Sequence, residues 1–207
     1  GPDLISDLQR RDYGINALAL PLPPGEALLD PTSGLGDLAT RQLRALSEAN
    51  LLADPLRLLR GPRLAAELNF SLESTTAALI RRHGAALPQV AAERVLAELE
   101  KLASCPGGDA GLKQASDLGL LQPWERPLTA GEQGSLEVAG LSDEELRTAM
   151  PLARLAQRFD GAALGQLKAS RKLQQRCSVL RHWFEQLSQP LGEAAMLQLC
   201  RELEEDL

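Results

Sequence analysis

The sequence predicts a mostly α-helical fold, a multi-helix array with a short β-hairpin near its N-terminal end. Three observations predict it. Leucine fills 44 of the 207 positions and alanine 29, whereas valine and isoleucine together fill 7. Aromatic residues make up only 3% of the chain. Leu and Ala lead the helix scale, and extended sheet favours the β-branched and aromatic side chains that are scarce here. From Asp54 onward, apolar residues recur at helical spacing behind capping residues. A β-sandwich, a barrel or a large parallel sheet is therefore excluded.

The strand-forming residues gather at the start. Ile15 to Leu22 and Ala27 to Leu29 read as two short strands around the turn Pro23-Pro24-Gly25, followed by a second turn at Asp30-Pro31-Thr32-Ser33-Gly34. An isolated hairpin is marginal in water, so these strands are expected to form the edge of a larger sheet. Asp54-Pro55 opens a helix with an N-cap and a proline at the first helical position, where a missing N–H costs nothing. That helix runs through Leu56, Leu59, Leu64 and Leu68 to about Asn69, with a kink expected at Pro62. Helices follow over 74–83, closed by Gly84, and over 88–103, with Val95, Leu96, Leu99 and Leu102 inward. Cys105-Pro106-Gly107-Gly108 suggests a boundary, with a short helix over 110–118 beyond it. Residues 122–140 read as a loop, in which Trp124 is expected to anchor the chain. Ser142 and Glu145 form a capping box for a helix reaching Phe159. Further helices start after Asp160, span 170–187 and run from Glu193 to the end.

Charge and cysteine usage narrow the function. The net charge of −6 argues against a surface that coats nucleic acid throughout, while permitting local basic patches. Cys105, Cys177 and Cys200 are odd in number and scattered, which fits neither a disulfide framework nor a zinc site and points to a reducing, cytoplasmic setting. His83 and His182 stand far apart, so no metal site is expected in this chain. No apolar run is long enough to span a membrane.

Two regions could carry chemistry. Asp54, Arg57, Arg60 and Arg63 recur at three-residue steps, a slowly winding stripe in which Asp54 is expected to pair with Arg57. A carboxylate beside a guanidinium fork presents an acceptor and donors that could read a nucleobase, while spare arginines hold phosphates. Spacing alone favours the plainer alternative of an exposed face with an i,i+3 ion pair, worth a few tenths of a kcal/mol. The second region is the basic stretch Lys168, Arg171, Lys172, Arg176 and Arg181, a candidate phosphate footprint or equally a solvated helix surface. Trp183-Phe184 beside it reads as core, and the acidic end from Glu202 as a solvated face.

The strings themselves say more. Arg10-Arg11-Asp12-Tyr13-Gly14-Ile15-Asn16-Ala17-Leu18 resembles the arginine–arginine–aspartate motif of class II tRNA nucleotidyltransferases (CCA-adding enzymes) and bacterial poly(A) polymerases. Leu29-Asp30-Pro31 with Gly34, Asp37 and Leu38 is similar to that family's next motif. Asp54-Pro55-Leu56-Arg57-Leu58-Leu59-Arg60 resembles its base-reading helix, which Arg63, Ala65, Ala66 and Phe70 continue. Thr76 and the run Ala92-Glu93-Arg94 with Glu98 and Leu99 match the helices beyond. The likeness is specific over residues 3–102 and rests mainly on helical content after residue 105.

The resemblance implies three parts: residues 1–50 as the C-terminal remnant of a nucleotidyltransferase head, 51–105 as a neck of nucleobase-recognition helices, and 106–207 as a helical, RNA-binding body and tail. It places Arg11, Asp12 and Asn16 near ribose and phosphates. It makes Asp54 and Arg57 the template that selects C or A, and assigns Arg60 and Arg63 to the triphosphate and incoming base. Lys168, Arg171, Lys172, Arg176 and Arg181 would contact RNA. The implied substrates are CTP or ATP and the 3′ end of tRNA or another RNA. The family's Asp-x-Asp pair and glycine-rich phosphate loop lie N-terminal to this motif and do not occur in the chain. The Mg2+ ligands are therefore expected outside it, and the chain is expected to recognise rather than catalyse. Two positions depart from the pattern: Ala53 replaces a glutamate, and Gly61-Pro62 interrupts the base-reading helix. They leave open the choice among CCA, CC, A-only and poly(A) addition. A non-catalytic helical RNA-binding or adaptor protein is the alternative from another class.

Overall fold

A computed structural model describes residues 3–20, 27–128, 142–186 and 192–204. Among them are eleven α-helices and one two-stranded sheet, the mostly helical architecture the composition predicts. The turn expected at 23–25 and most of the loop expected over 122–140 lie outside the described residues. The chain divides into two units, Gly1–Pro123 and Trp124–Leu207. The boundary expected near Cys105 falls within the first.

The first unit is organised on α4 (Leu56–Leu68). Asp54 caps it as expected: its Oδ1 accepts the Leu56 amide at 3.3 Å and its carbonyl the Arg57 amide at 2.9 Å. The helix runs on through Pro62 and stops where Asn69 turns left-handed (φ 54°), with Phe70 N–H bonding back to Ala65 O. Before α4 come α1 (Leu4–Gln9), α2 (Gly34–Thr40), β1 (Gln42–Leu43) and α3 (Glu48–Ala53). After it come β2 (Ser71–Leu72), α5 (Ser74–His83), α6 (Ala92–Ser104) and α7 (Gly108–Asp117). β1 and β2 pair in parallel, Gln42 opposite Ser71 and Leu43 opposite Leu72. Leu43, Leu51, Leu58, Leu59, Ile80, Leu87, Leu99, Leu102 and Leu112 are fully buried around α4.

Two glycines permit the close packing. A Cβ on Gly61 would lie 2.6 Å from the Tyr13 hydroxyl and 2.8 Å from Ile80 Cδ1. One on Gly111 would meet Leu102 and Ala66 within 2.7 Å. Gly61 is thus where Tyr13 seats against α4.

Several local expectations are corrected. Ile15 to Leu22 does not begin as a strand. Gly14–Asn16 is a 3-10 turn closed by Asn16 N–H to Tyr13 O, because Asp12 Oδ1 draws in both the Tyr13 amide and the Asn16 side chain. The hairpin survives as one antiparallel pair, Ala19 and Leu29, exchanging both backbone hydrogen bonds. Gly84 does close α5 as expected, with φ −52°, but a 3-10 turn then carries the chain through Pro88 to Gln89. α6 therefore begins at Ala92 rather than at Pro88.

The second unit holds α8 (Asp143–Arg158), α9 (Gly161–Gln166), α10 (Arg171–Gln186) and α11 (Glu193–Glu204). The capping box forms as expected, Ser142 Oγ accepting the Glu145 amide and Glu145 Oε2 the Ser142 amide at 2.7 Å. The Ser142 hydroxyl, which also donates to Glu145 Oε2 at 2.7 Å, and then the Ser142 amide hold the Glu145 carboxyl below its usual range. Asp160 caps α9 through the Ala163 amide. Leu155, Phe159, Leu164, Leu167, Cys177 and Trp183 form the core, and burial pushes the Cys177 thiol up to about 12. Trp183 is buried, but Phe184 is 54% exposed, so only the tryptophan belongs to the core. Trp124 is half-buried.

Candidate functional site

Two segments far apart in sequence meet in a cleft of about 290 Å³ lined by Arg11, Asp12, Asn16, Arg57 and Arg60. Tyr13 brings them together. Fully buried, it donates its hydroxyl proton to Arg57 O at 2.7 Å and pairs with Ala45 across an antiparallel bridge. Burial, with the charge of Asp12 beside it, raises its phenol far above the usual range, so the donor stays protonated. On one side of Tyr13, Asp12 is 4% exposed. Its Oδ1 accepts the Tyr13 amide at 2.9 Å and Asn16 Nδ2 at 3.0 Å, and its Oδ2 lies 2.9 Å from Arg60 Nε. Arg11 reaches Asp7 at 3.0 Å on the rim.

Arg57 does not pair with Asp54. Its Nη1 donates to the carbonyls of Arg10 and Asn50, each at 2.9 Å. Asp54 instead holds Arg94 of α6 through Oδ2 at 2.7 Å. Partial burial works against ionisation of Asp54, but the bonds from Arg94 and the Leu56 amide, with the charges of Arg94 and Arg57, outweigh it and lower its pKa. The expected i,i+3 pair is replaced because two backbone carbonyls and a neighbouring helix offer better-placed partners.

Arg63 lies outside the cleft. It is 12% exposed and bound by Glu67 and by Glu98 Oε2 at 2.7 Å. Glu98, itself 6% exposed, also takes Lys101 Nζ at 3.1 Å. The reason is the helical period. Three-residue steps advance 300°, so Arg63 sits about 120° round the helix from Arg57 and faces α6.

Sequence reasoning missed Asn50. Its Nδ2 donates to Gln9 O at 2.8 Å and Arg11 O at 2.7 Å, which ties the cleft's N-terminal wall to α3. A lone asparagine in a short helix carries no sequence signal for such a tether. The role of Tyr13 as a strut is likewise invisible in the sequence, although it sits inside a legible motif.

Among the described residues, no three His, Cys, Asp or Glu side chains gather as a metal cage. Asp12, the one carboxylate lining the cleft, is already engaged by Asn16 and Arg60. The cleft does not fit a magnesium site, and three guanidiniums against one carboxylate favour an anionic ligand. In the second unit, Lys168, Arg171 and Lys172 are exposed, while Arg176 is half-buried and Arg181 reaches Glu185 at 3.0 Å. Glu202 is not simply solvated, since it accepts the Trp183 indole N–H at 2.7 Å.

Comparison with known proteins shows what the chain is similar to. The poly(A) polymerase head domain model matches residues 2–44, and the model for the probable RNA and SrmB-binding site of polymerase A matches residues 69–127. Over these residues the chain is similar to the class II tRNA nucleotidyltransferase and poly(A) polymerase family. It is 42% identical to the CC-adding tRNA nucleotidyltransferase of Synechocystis over 124 residues, covering 60% of this chain and 30% of that protein. It is 43% identical to the A-adding tRNA nucleotidyltransferase of Deinococcus radiodurans over 125 residues, 58% of this chain and 28% of that one. The chain thus spans less than a third of these relatives' length. Among solved structures, the Bacillus stearothermophilus CCA-adding enzyme in complex with CTP superposes with a TM-score of 0.68 at 27% identity, over 89% of this chain and 48% of that one. The Thermotoga maritima CCA-adding enzyme complexed with tRNA-CCA shares the fold, with a TM-score of 0.69 at 22% identity over 89% and 50%. Among the described residues, no helix is long and apolar enough to cross a membrane.

Proposed function

We propose that this chain forms the nucleotide-recognition and RNA-binding part of a cytoplasmic, template-independent nucleotidyltransferase that adds CMP or AMP to tRNA 3′ ends. The observation that carries this reading is the convergence of Arg11, Asp12, Asn16, Arg57 and Arg60 in one cleft. Arg57, with one nitrogen anchored, presents donors to a base. Arg60 and Arg11 offer charge to the triphosphate, and Asn16 and Asp12 offer polar groups to the ribose. Asp54, at the head of the same helix, is the acceptor assigned to the amino group of cytosine or adenine. Arg63 acts from behind, holding α4 to α6. The exposed cations Lys168, Arg171 and Lys172, with Arg176 and Arg181, are assigned to RNA phosphates, and Mg2+ to ligands outside these residues.

CC-adding, A-adding and CCA-adding relatives match at 42, 43 and 39% identity, so the nucleotide added is a matter for direct assay. The full-length protein is given CTP, ATP, GTP or UTP with tRNA ending before CCA, after C, or after CC. Incorporation of CMP or AMP on at least one of these is expected. No incorporation of either on any of the three would overturn the reading and favour a non-catalytic RNA-binding protein.

A further inference from the structure

We infer that Asn50 is a positioning residue for base selection: it sets the tilt of the Arg57 guanidinium by clamping the backbone at residues 9–11. This rests on the nucleotide reading of the cleft. The clamp is unusually complete. The carbonyls of Gln9 and Arg11 take the two protons of Asn50 Nδ2 at 2.8 and 2.7 Å. Because both neighbours are acceptors, the amide has only one satisfactory orientation. The carbonyl between them, that of Arg10, accepts Arg57 Nη1 at 2.9 Å, and the same nitrogen donates to Asn50's own carbonyl at 2.9 Å. Three consecutive carbonyls are thus consumed by one side-chain amide and one guanidinium nitrogen. Asn50 is itself fixed, its backbone N–H donating to Ser47 Oγ at 3.0 Å at the start of α3.

The consequence lies in what Arg57 has left. Both Nη1 protons are spent on backbone. Among the described residues, Nε and Nη2 meet no protein acceptor. They form the side of a planar fork, two parallel donors at fixed spacing. Cytosine offers two adjacent acceptors, N3 and O2, to such a pair. Uracil places an N–H at the same position, which faces a donor with a donor. The discrimination depends on the tilt of the fork, and that tilt is set by the Arg10 carbonyl. Asn50 holds the residues on either side of this carbonyl without lining the cleft.

The test uses this chain unsubstituted, as Asn50→Ala, and as Asn50→Asp, which keeps the size but turns a carboxylate toward two carbonyls. CTP, UTP and inorganic tripolyphosphate are titrated by calorimetry, and each protein's melting is recorded. The unsubstituted chain is expected to prefer CTP. Both variants should melt cooperatively, keep their tripolyphosphate affinity, and lose about tenfold in the CTP-over-UTP ratio, the scale of one or two lost hydrogen bonds. His83→Ala serves as the control. It removes the 2.5 Å contact with Glu48 that ties α5 to α3, and should leave the ratio intact. An unchanged ratio in both Asn50 variants would overturn the inference. So would equal loss of tripolyphosphate affinity, loss of cooperative melting in both, or the same flattening in His83→Ala. Failure of the unsubstituted chain to bind CTP would show before any substitution, and would remove the nucleotide reading together with this inference.

Discussion

The arginines of α4 and the cations of α10 are the same chemistry under opposite constraints. On α4, Arg57 is anchored by two carbonyls, Arg60 by Asp12 and Arg63 by Glu67 and Glu98, so each guanidinium has a fixed direction. On α10, Arg171 and Lys172 are exposed, and Arg181 makes an i,i+4 pair with a glutamate that is 60% exposed. A fixed guanidinium can read the shape of a base edge. A solvated cation can supply charge, which is all that holding a phosphate demands. Under the proposed function, selectivity belongs to the first region and salt-dependent grip to the second.

The largest test of this contrast is Glu98→Ala. It removes the buried one of Arg63's two carboxylate partners and leaves the exposed Glu67, at a cost of about 3 kcal/mol in denaturant unfolding. A loss below about 1 kcal/mol, the range of an exposed pair, would mean that α4's arginines are no more constrained than those of α10. Gly61→Ala comes next, at about 1–3 kcal/mol, because its new Cβ strikes the Tyr13 hydroxyl and Ile80. Combining it with Tyr13→Phe should recover part of that loss, since the hydroxyl is the nearer clash, and a strictly additive double variant would locate the strain elsewhere.

A smaller effect is expected from Arg94→Ala, read against pH. Asp54 has a folded pKa below its unfolded value, so its pairing adds stability that is complete above the ordinary carboxylate range. That stability is lost as the pH falls through the lowered value. The difference in melting between parent and variant should therefore be full at neutral pH, begin to shrink only as the pH falls to about 4, and vanish once the pH is below the lowered value of Asp54. A constant difference would assign Arg94 to packing rather than to charge. The smallest change in stability, within about 0.5 kcal/mol, is expected for Arg171→Gln with Lys172→Gln. Their signature is in RNA binding instead, where the salt dependence should fall by about 0.7 to 0.9 for each phosphate that the protein ceases to neutralise. An unaltered salt slope would remove these two from the RNA surface.

Most helices were legible because leucine periodicity and caps act locally: Asp54-Pro55, Ser142 with Glu145, and Asp160 each start a helix where the sequence places it. What failed was decided by competition over distance. Residues 14–16 carry strand-forming Ile15, yet the Asp12 carboxylate wins them for a turn. Asp54 and Arg57 sit at pairing distance along the helix, yet Arg94 and the carbonyls of Arg10 and Asn50 win both. The cleft's membership was legible through its motifs, as Arg11, Asp12, Asn16, Arg57 and Arg60 do converge. Arg63 shows where counting by threes misleads, since the stripe winds away from the face it starts on. Asn50 was illegible for the complementary reason. Its partners are backbone carbonyls some forty residues away, and carbonyls leave no mark in a sequence.

The parallel pairing of Gln42–Leu43 with Ser71–Leu72 has a consequence for the order of assembly. The walls of the cleft come from residues 11–16 and 57–60, but the strand pair that brackets α3 and α4 closes only through residue 72. Synthesis proceeds from the N-terminus, and a domain folds as a unit once its contacts are available. A nascent chain arrested after Arg60 would thus carry every cleft residue and still lack the clasp that holds them in register. The cleft is complete in sequence a dozen residues before it is complete in space.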